Sequence, residues 1–169
     1  MHLFLYFIFT LLMLSQQACG QTTDKAYKLM LEGLYKNTVP SISAVNVYKQ
    51  LQQKEPVVLL DTRTYAEYKV SHLPGSQFVD YDSFNVGKLE RIPKNARVIV
   101  YCSVGYRSER VGEQLRAAGY RQVYNLYGGI FEWVNQSYPV YNSSGLTNKV
   151  HAYSKVWGMW LQEGEKVYD

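Results

Sequence analysis

One stretch constrains the fold more than any other: Val98-Ile99-Val100-Tyr101-Cys102-Ser103-Val104-Gly105-Tyr106-Arg107-Ser108-Glu109-Arg110. It opens with apolar and β-branched residues, the pattern of a strand buried on both faces. A short loop with Gly105 follows, then helical spacing through Val111, Leu115 and Ala118, closed by Gly119. The unit predicts a helix over about Ser108 to Ala118, with Ser108 as its cap. Cys102 therefore sits where a strand stops and a helix begins. Loop amides there lack intrachain acceptors, and the helix dipole adds positive potential. Arg107 and Arg110 bring full charge to the same end. Such surroundings favour an anion, so a nucleophilic thiolate is expected. The bland alternative is a small apolar residue packed at a strand end. Strand-loop-helix context, an interior glycine and an arginine five positions on together favour the reactive reading.

The remaining chain predicts strands alternating with helices. Val39 to Ile42 is extended, and Ser43 caps a helix through Val45, Val47, Tyr48 and Leu51 that closes at Glu55-Pro56. Val57 to Leu60 is a continuous apolar strand, and Thr64 caps a helix from Tyr65 to Val70. Ser76 to Val79, Arg97 to Tyr101 and Gln122 to Leu126 read as strands. Gly128-Gly129 punctuates the last, before a helix with Phe131, Trp133 and Val134. This order implies an α/β fold, a parallel sheet flanked by helices on both faces. Reactive groups in such sheets lie beyond the carboxyl ends of strands, where Cys102 falls. Net charge is +4, but Lys and Arg are scattered, so no nucleic-acid partner is expected.

Residues 1–20 are set apart from the fold. Leu3 to Leu14 is apolar except for Thr10 and precedes Ala18-Cys19-Gly20, which is the form of a secretory signal with a small-residue processing site. A run of about 12 residues makes a helix about 18 Å long, short for a membrane span. A short membrane anchor is the alternative to a signal, and for a signal two processing readings stay open. Lipidation at Cys19 would anchor a bacterial lipoprotein; cleavage after Gly20 would release the protein into the periplasm. In both, Cys102 is the one thiol of the mature domain, an uncommon state for an exported protein. The expected organisation is a signal at 1–20, a leader at 21–41 with a short helix near Tyr27 to Tyr35, a domain at 42–141, and an aromatic extension at 142–169. In that extension Val140 to Leu146 reads as loop, and Lys149 to Leu161 as a short extra helix or strand on the sheet's flank. His151 has no ligand companions nearby in sequence, so no metal and no cofactor are expected.

Four motifs in order resemble the rhodanese family. They are Leu60-Asp61-Thr62-Arg63; Glu67 to Ser76, with Ser71 where the family usually has glycine; Val100-Tyr101-Cys102 with Gly105, Arg107 and Ser108; and Leu126 to Trp133 around the double glycine. The resemblance covers about Ile42 to Tyr141. It implies that Cys102 takes a sulfane sulfur from a small anionic donor such as thiosulfate, as a persulfide. That sulfur then passes to a thiol, cyanide or protein acceptor. Ser103, Val104, Gly105, Tyr106, Arg107 and Ser108 would form the substrate cradle, with Arg107 gripping the donor's sulfonate. Asp61, Arg63 and Glu67 form a supporting set: Arg63 and Glu67 are four apart and can pair, and Asp61 can hold the cysteine loop through its amides. The C-x4-R spacing is one residue shorter than in the related phosphatases, which suits sulfur better than phosphate. A persulfide carrier and a non-catalytic interaction module on the same scaffold are the competing readings.

Overall fold

Five parallel strands form the central sheet of the computed structural model, which describes residues 25–168. They are β1 (Ser41–Ile42), β2 (Val57–Asp61), β3 (Gln77–Phe78), β4 (Arg97–Tyr101) and β5 (Gln122–Leu126), in the order β1-β5-β4-β2-β3. The middle strand, β4, pairs with β2 from Val57↔Arg97 to Asp61↔Tyr101 and with β5 from Arg97↔Gln122 to Val100↔Asn125. Parallel neighbours need crossovers, and three of these carry helices. Helix α2 (Ala44–Gln52) links β1 to β2, α3 (Tyr65–Val70) links β2 to β3, and α4 (Tyr106–Ala117) links β4 to β5. A fourth, α5 (Gly129–Asn135), follows β5. The chain divides into two compact units, Met1–Leu34 and Tyr35–Asp169. The described part of the first is a helix, α1, over 25–34. The expected signal at 1–20 and Cys19 lie outside the described residues. No helix among the described residues is long and apolar enough to cross a membrane.

Burial explains the continuous apolar run of β4. Val98, Ile99, Val100 and Tyr101 are all fully buried, so both faces of this strand are covered. Val98 and Val100 pack with Leu60 of β2 and with Val111 and Leu115 of α4. Ile99, between them, points to the opposite face, as strand alternation requires. Each such side chain withdrawn from water contributes about 1.5–3 kcal/mol. These layers fix the end of β4 and hence the position of Cys102.

The caps follow local chemistry. Ser43 accepts a bond from the Asn46 amide at 3.3 Å, and Thr64 forms a reciprocal capping box with Glu67. The start of α4 differs from expectation. Gly105, at φ 100°, turns the chain directly into the helix, so α4 begins at Tyr106 rather than Ser108. Ser108 is therefore a first-turn residue and not the cap; its hydroxyl donates to Asn125 Oδ1 at 2.7 Å.

The tail also differs. Its expected loop is a hairpin, β6 (Val140–Asn142) with β7 (Gly145–Thr147). Next, β8 (Lys149–His151) pairs in parallel with β9 (Glu165–Val167), with a 3-10 turn at Trp157–Trp160 between them. Both β6 and β8 pack against α3, and Val150, Ala152 and Leu161 are fully buried. The apolar residues that read as one flank element are spread over short strands. Their register depends on distant partners such as Glu165–Val167, which local periodicity cannot show.

Candidate active site

Cys102 follows the last residue of β4 and is 1% exposed. Its Sγ accepts a hydrogen bond from the Gly105 amide at 3.1 Å. The loop Ser103-Val104-Gly105 thus folds back over the sulfur. Helix α4 then presents the first-turn amides of Tyr106, Arg107 and Ser108, which have no intrahelical acceptor. The cradle expected from Ser103 to Ser108 is half loop and half helix end.

The loop's carbonyls are taken up by a different element. The Ile130 amide donates to the Cys102 carbonyl at 2.9 Å, and the Phe131 amide to the Ser103 carbonyl at 3.1 Å. This close approach explains the double glycine. At Gly129, φ is 56°, and a Cβ would overlap the Cys102 carbonyl oxygen and lie 2.7 Å from the Ser103 carbonyl carbon.

The charged residues sort into two pairs. Arg107 donates to both carboxylate oxygens of Glu67, at 2.8 and 2.7 Å, and to Ser103 Oγ at 3.0 Å. Ser103 Oγ in turn donates to Glu67 Oε1 at 2.9 Å. Burial alone would raise the Glu67 carboxyl. Its bonds and charge interaction with Arg107, the charge of Arg63 and the Thr64 amide outweigh burial and hold it at about 2. The second pair is fully buried: Arg63 donates to Asp61 through its backbone amide (3.0 Å), Nε (2.9 Å) and Nη2 (2.6 Å), and to the Ser71 carbonyl at 2.6 Å. Two expectations are therefore corrected. Arg63 pairs with Asp61 two residues back, not with Glu67 four residues on, because Glu67 turns towards Arg107. Asp61 accepts from Arg63 rather than from the amides of the cysteine loop.

Three residues join this site that sequence reasoning did not single out. Asn125 on β5 accepts from Ser108 and donates through Nδ2 to the Gly105 carbonyl at 2.9 Å. An amide side chain set between Tyr124 and Leu126 near the carboxyl end of the strand was its available signal. Tyr35 donates to the Val104 carbonyl at 2.6 Å and accepts from the Gly128 amide at 2.9 Å. Tyr153, between β8 and the 3-10 turn, lies with its ring centroid 5.3 Å from the Arg107 guanidinium carbon. Sixteen tyrosines concealed these two. Arg110, by contrast, turns along α4 to Glu113 at 2.7 Å and Glu109 at 3.7 Å. His72 has a structural setting: its Nδ1 lies 3.0 Å from the Tyr68 carbonyl, and its ring stacks on Tyr68.

Chemically, the site offers a buried sulfur bonded to the Gly105 amide, loop carbonyls engaged elsewhere, and the Arg107 guanidinium neutralised by a carboxylate. Residues 44–136 match the family model of the rhodanese-like domain. The chain is 31% identical to a sulfurtransferase of Allochromatium vinosum over 63% of its own length and 99% of that protein. It is 24% identical to a putative sulfur carrier protein of Bacillus subtilis, over 60% and 54% of the two chains. It spans only 30% of a Mycobacterium tuberculosis relative described as a probable adenylyltransferase/sulfurtransferase. Among solved structures, a thiosulfate sulfurtransferase from Pseudomonas aeruginosa superposes with a TM-score of 0.58 at 25% identity, over 80% of this chain and 26% of that one.

Proposed function

Given that the chain belongs to the rhodanese-like family, we propose that it is a sulfurtransferase that carries sulfane sulfur on Cys102. In the first step the Cys102 thiolate attacks the outer sulfur of a donor such as thiosulfate. The donor's S–S bond breaks, sulfite leaves with its electron pair, and a cysteine persulfide anion remains. In the second step cyanide or a thiolate attacks that outer sulfur. Thiocyanate or a new persulfide departs, and Cys102 returns as thiolate. No outside oxidant or reductant is consumed.

The observation that carries this reading is the Gly105 N–H bond to Cys102 Sγ, in a loop whose carbonyls at Cys102 and Ser103 are bonded to α5. The Gly105 N–H dipole then faces the sulfur, while the Cys102 and Ser103 carbonyls are bonded to other partners. Arg107, expected to grip a sulfonate, is engaged with Glu67 and Ser103. Its part in the reaction is therefore to fix the rim of the loop, and a donor's anionic end falls to the first-turn amides of α4.

A second reading has a specific observation behind it. Neutralisation of Arg107 by Glu67 weakens the pull on a small dianion, which favours a carrier whose donor and acceptor are thiol proteins or persulfides. Export of the chain, through residues 1–20 with release or lipid anchoring at Cys19 in a bacterial periplasm, belongs to the proposal. The mass of the native amino terminus tests it.

The functional test compares the wild-type chain with Cys102→Ser in thiosulfate and cyanide, with mass spectrometry after treatment with polysulfide, whose sulfane sulfur passes to the thiolate as the shortened polysulfide leaves. Thiocyanate formed only by the wild type, with an adduct of about 32 Da on Cys102, supports the enzyme. The same adduct with negligible turnover supports the carrier. Equal thiocyanate from both chains sinks Cys102 as the sulfur's seat.

A further inference from the structure

We propose that Tyr35 is a positioning residue for sulfur transfer: by holding the Val104 carbonyl, it aims the Gly105 amide at Cys102. This rests on the sulfurtransferase reading and goes beyond it, since Tyr35 lies outside residues 44–136 that match the family.

The argument is one of peptide geometry. The Val104 carbonyl and the Gly105 N–H belong to one planar, trans peptide unit, so they point in opposite directions. Tyr35 donates its hydroxyl proton to that carbonyl at 2.6 Å, and the N–H on the other side reaches Cys102 Sγ at 3.1 Å. Gly105 sits at φ 100°, a region in which a peptide flip is cheap for glycine. Something outside the loop must therefore choose the orientation, and the Tyr35 hydroxyl makes that contact. A Cβ on Gly105 would run into the same hydroxyl, so glycine and tyrosine are matched.

Tyr35 is itself fixed. It is 8% exposed, its ring meets Tyr127 edge-on with centroids 5.8 Å apart, and its hydroxyl accepts from the Gly128 amide. The next residues are pinned to α4, because Glu109 accepts from the Lys36 and Thr38 amides, each at 3.0 Å. One hydroxyl thus bridges the cysteine loop and the N-cap of α5, whose next amides hold the Cys102 and Ser103 carbonyls. The peptide that faces the sulfur and the start of the helix that holds the loop's carbonyls meet at this residue.

The test has two arms on the full chain. In the first, Tyr35→Phe is assayed with thiosulfate and cyanide well below its melting temperature. Loss of one neutral hydrogen bond that sets a dipole at the reacting atom should lower kcat about three- to tenfold while KM for thiosulfate stays within about twofold. A merely structural role would lower the melting temperature and leave kcat unchanged at that temperature. In the second, hydrogen exchange of the Gly105 amide is followed by NMR. It should be slow in the wild type and faster in Tyr35→Phe. The proposal is overturned by a Gly105 amide that exchanges in the wild type like an unstructured glycine, an outcome that needs no variant to fold. It is also overturned if the wild type shows Cys102-dependent turnover and Tyr35→Phe matches it in both kcat and exchange. Absence of any Cys102-dependent turnover would instead overturn the sulfurtransferase reading, and the exchange arm would still decide whether Tyr35 orients the peptide.

Discussion

Replacing Glu67 by glutamine removes one charge from the buried pair that rims the cysteine loop. Its side chain is 2% exposed, and Arg107 reaches it through two bonds. The carboxyl is held at about 2 against an ordinary value of 4.5. A shift of that size corresponds to roughly 3 kcal/mol of folding stability, the scale expected for breaking a buried ion pair. The sign is fixed by proton uptake. Glu67 binds its proton more weakly in the folded chain than in the unfolded one. Its contribution is therefore complete above pH 4.5 and lost as pH falls through about 2. At pH 7, Glu67→Gln should melt about 6–12 °C below the wild type. Urea unfolding at a series of pH values should show the gap between the two chains narrowing below pH 4.5 and nearly closing near pH 2, because a protonated glutamate and a glutamine serve Arg107 alike. A gap independent of pH, or a variant as stable as the wild type at pH 7, would refute the assignment of this pair as a stabilising, ionised contact.

Other substitutions probe neighbouring features. Gly129→Ala places a methyl against the Cys102 carbonyl at a positive φ, and should cost at least about 2 kcal/mol in thermal unfolding and lower thiocyanate formation more than tenfold. Tyr153→Ala removes the ring beside Arg107 and should cost only about 0.5–1 kcal/mol of stability. It should also change KM for thiosulfate about two- to fivefold, on the order of that same energy; an unchanged KM would remove Tyr153 from the site.

The sheet was legible in the chain wherever burial demanded it. The runs Val57 to Leu60 and Val98 to Tyr101 are apolar at every position and short, the pattern of strands in a covered parallel sheet, and the second is buried throughout. Thr64 read as a helix cap, and the structure holds it and adds the reciprocal bond from Glu67. What stayed hidden depended on contacts between distant residues. Arg63 had two carboxylates within reach in sequence, Asp61 and Glu67. The choice between them turned on Arg107, forty positions beyond Glu67, which claims both of that carboxylate's oxygens. Tyr35 is hidden for the same reason, since its acceptor is 69 residues away. Local spacing could place Cys102 at a strand end, but could not say which outside groups would orient its loop.

The burial of Cys102 bears on how an unpaired thiol survives. A disulfide needs its two sulfur atoms about 2 Å apart, with the α-carbons of both cysteines about 4.4–6.8 Å from one another. A cysteine 1% exposed, its sulfur bonded to the amide of its own loop, cannot meet that demand with the same cysteine of another copy. Reach is reserved for a slender anion or for a thiol carried on a protruding tip. The loop that readies the sulfur for chemistry thus also screens it from pairing with its own counterpart in another copy.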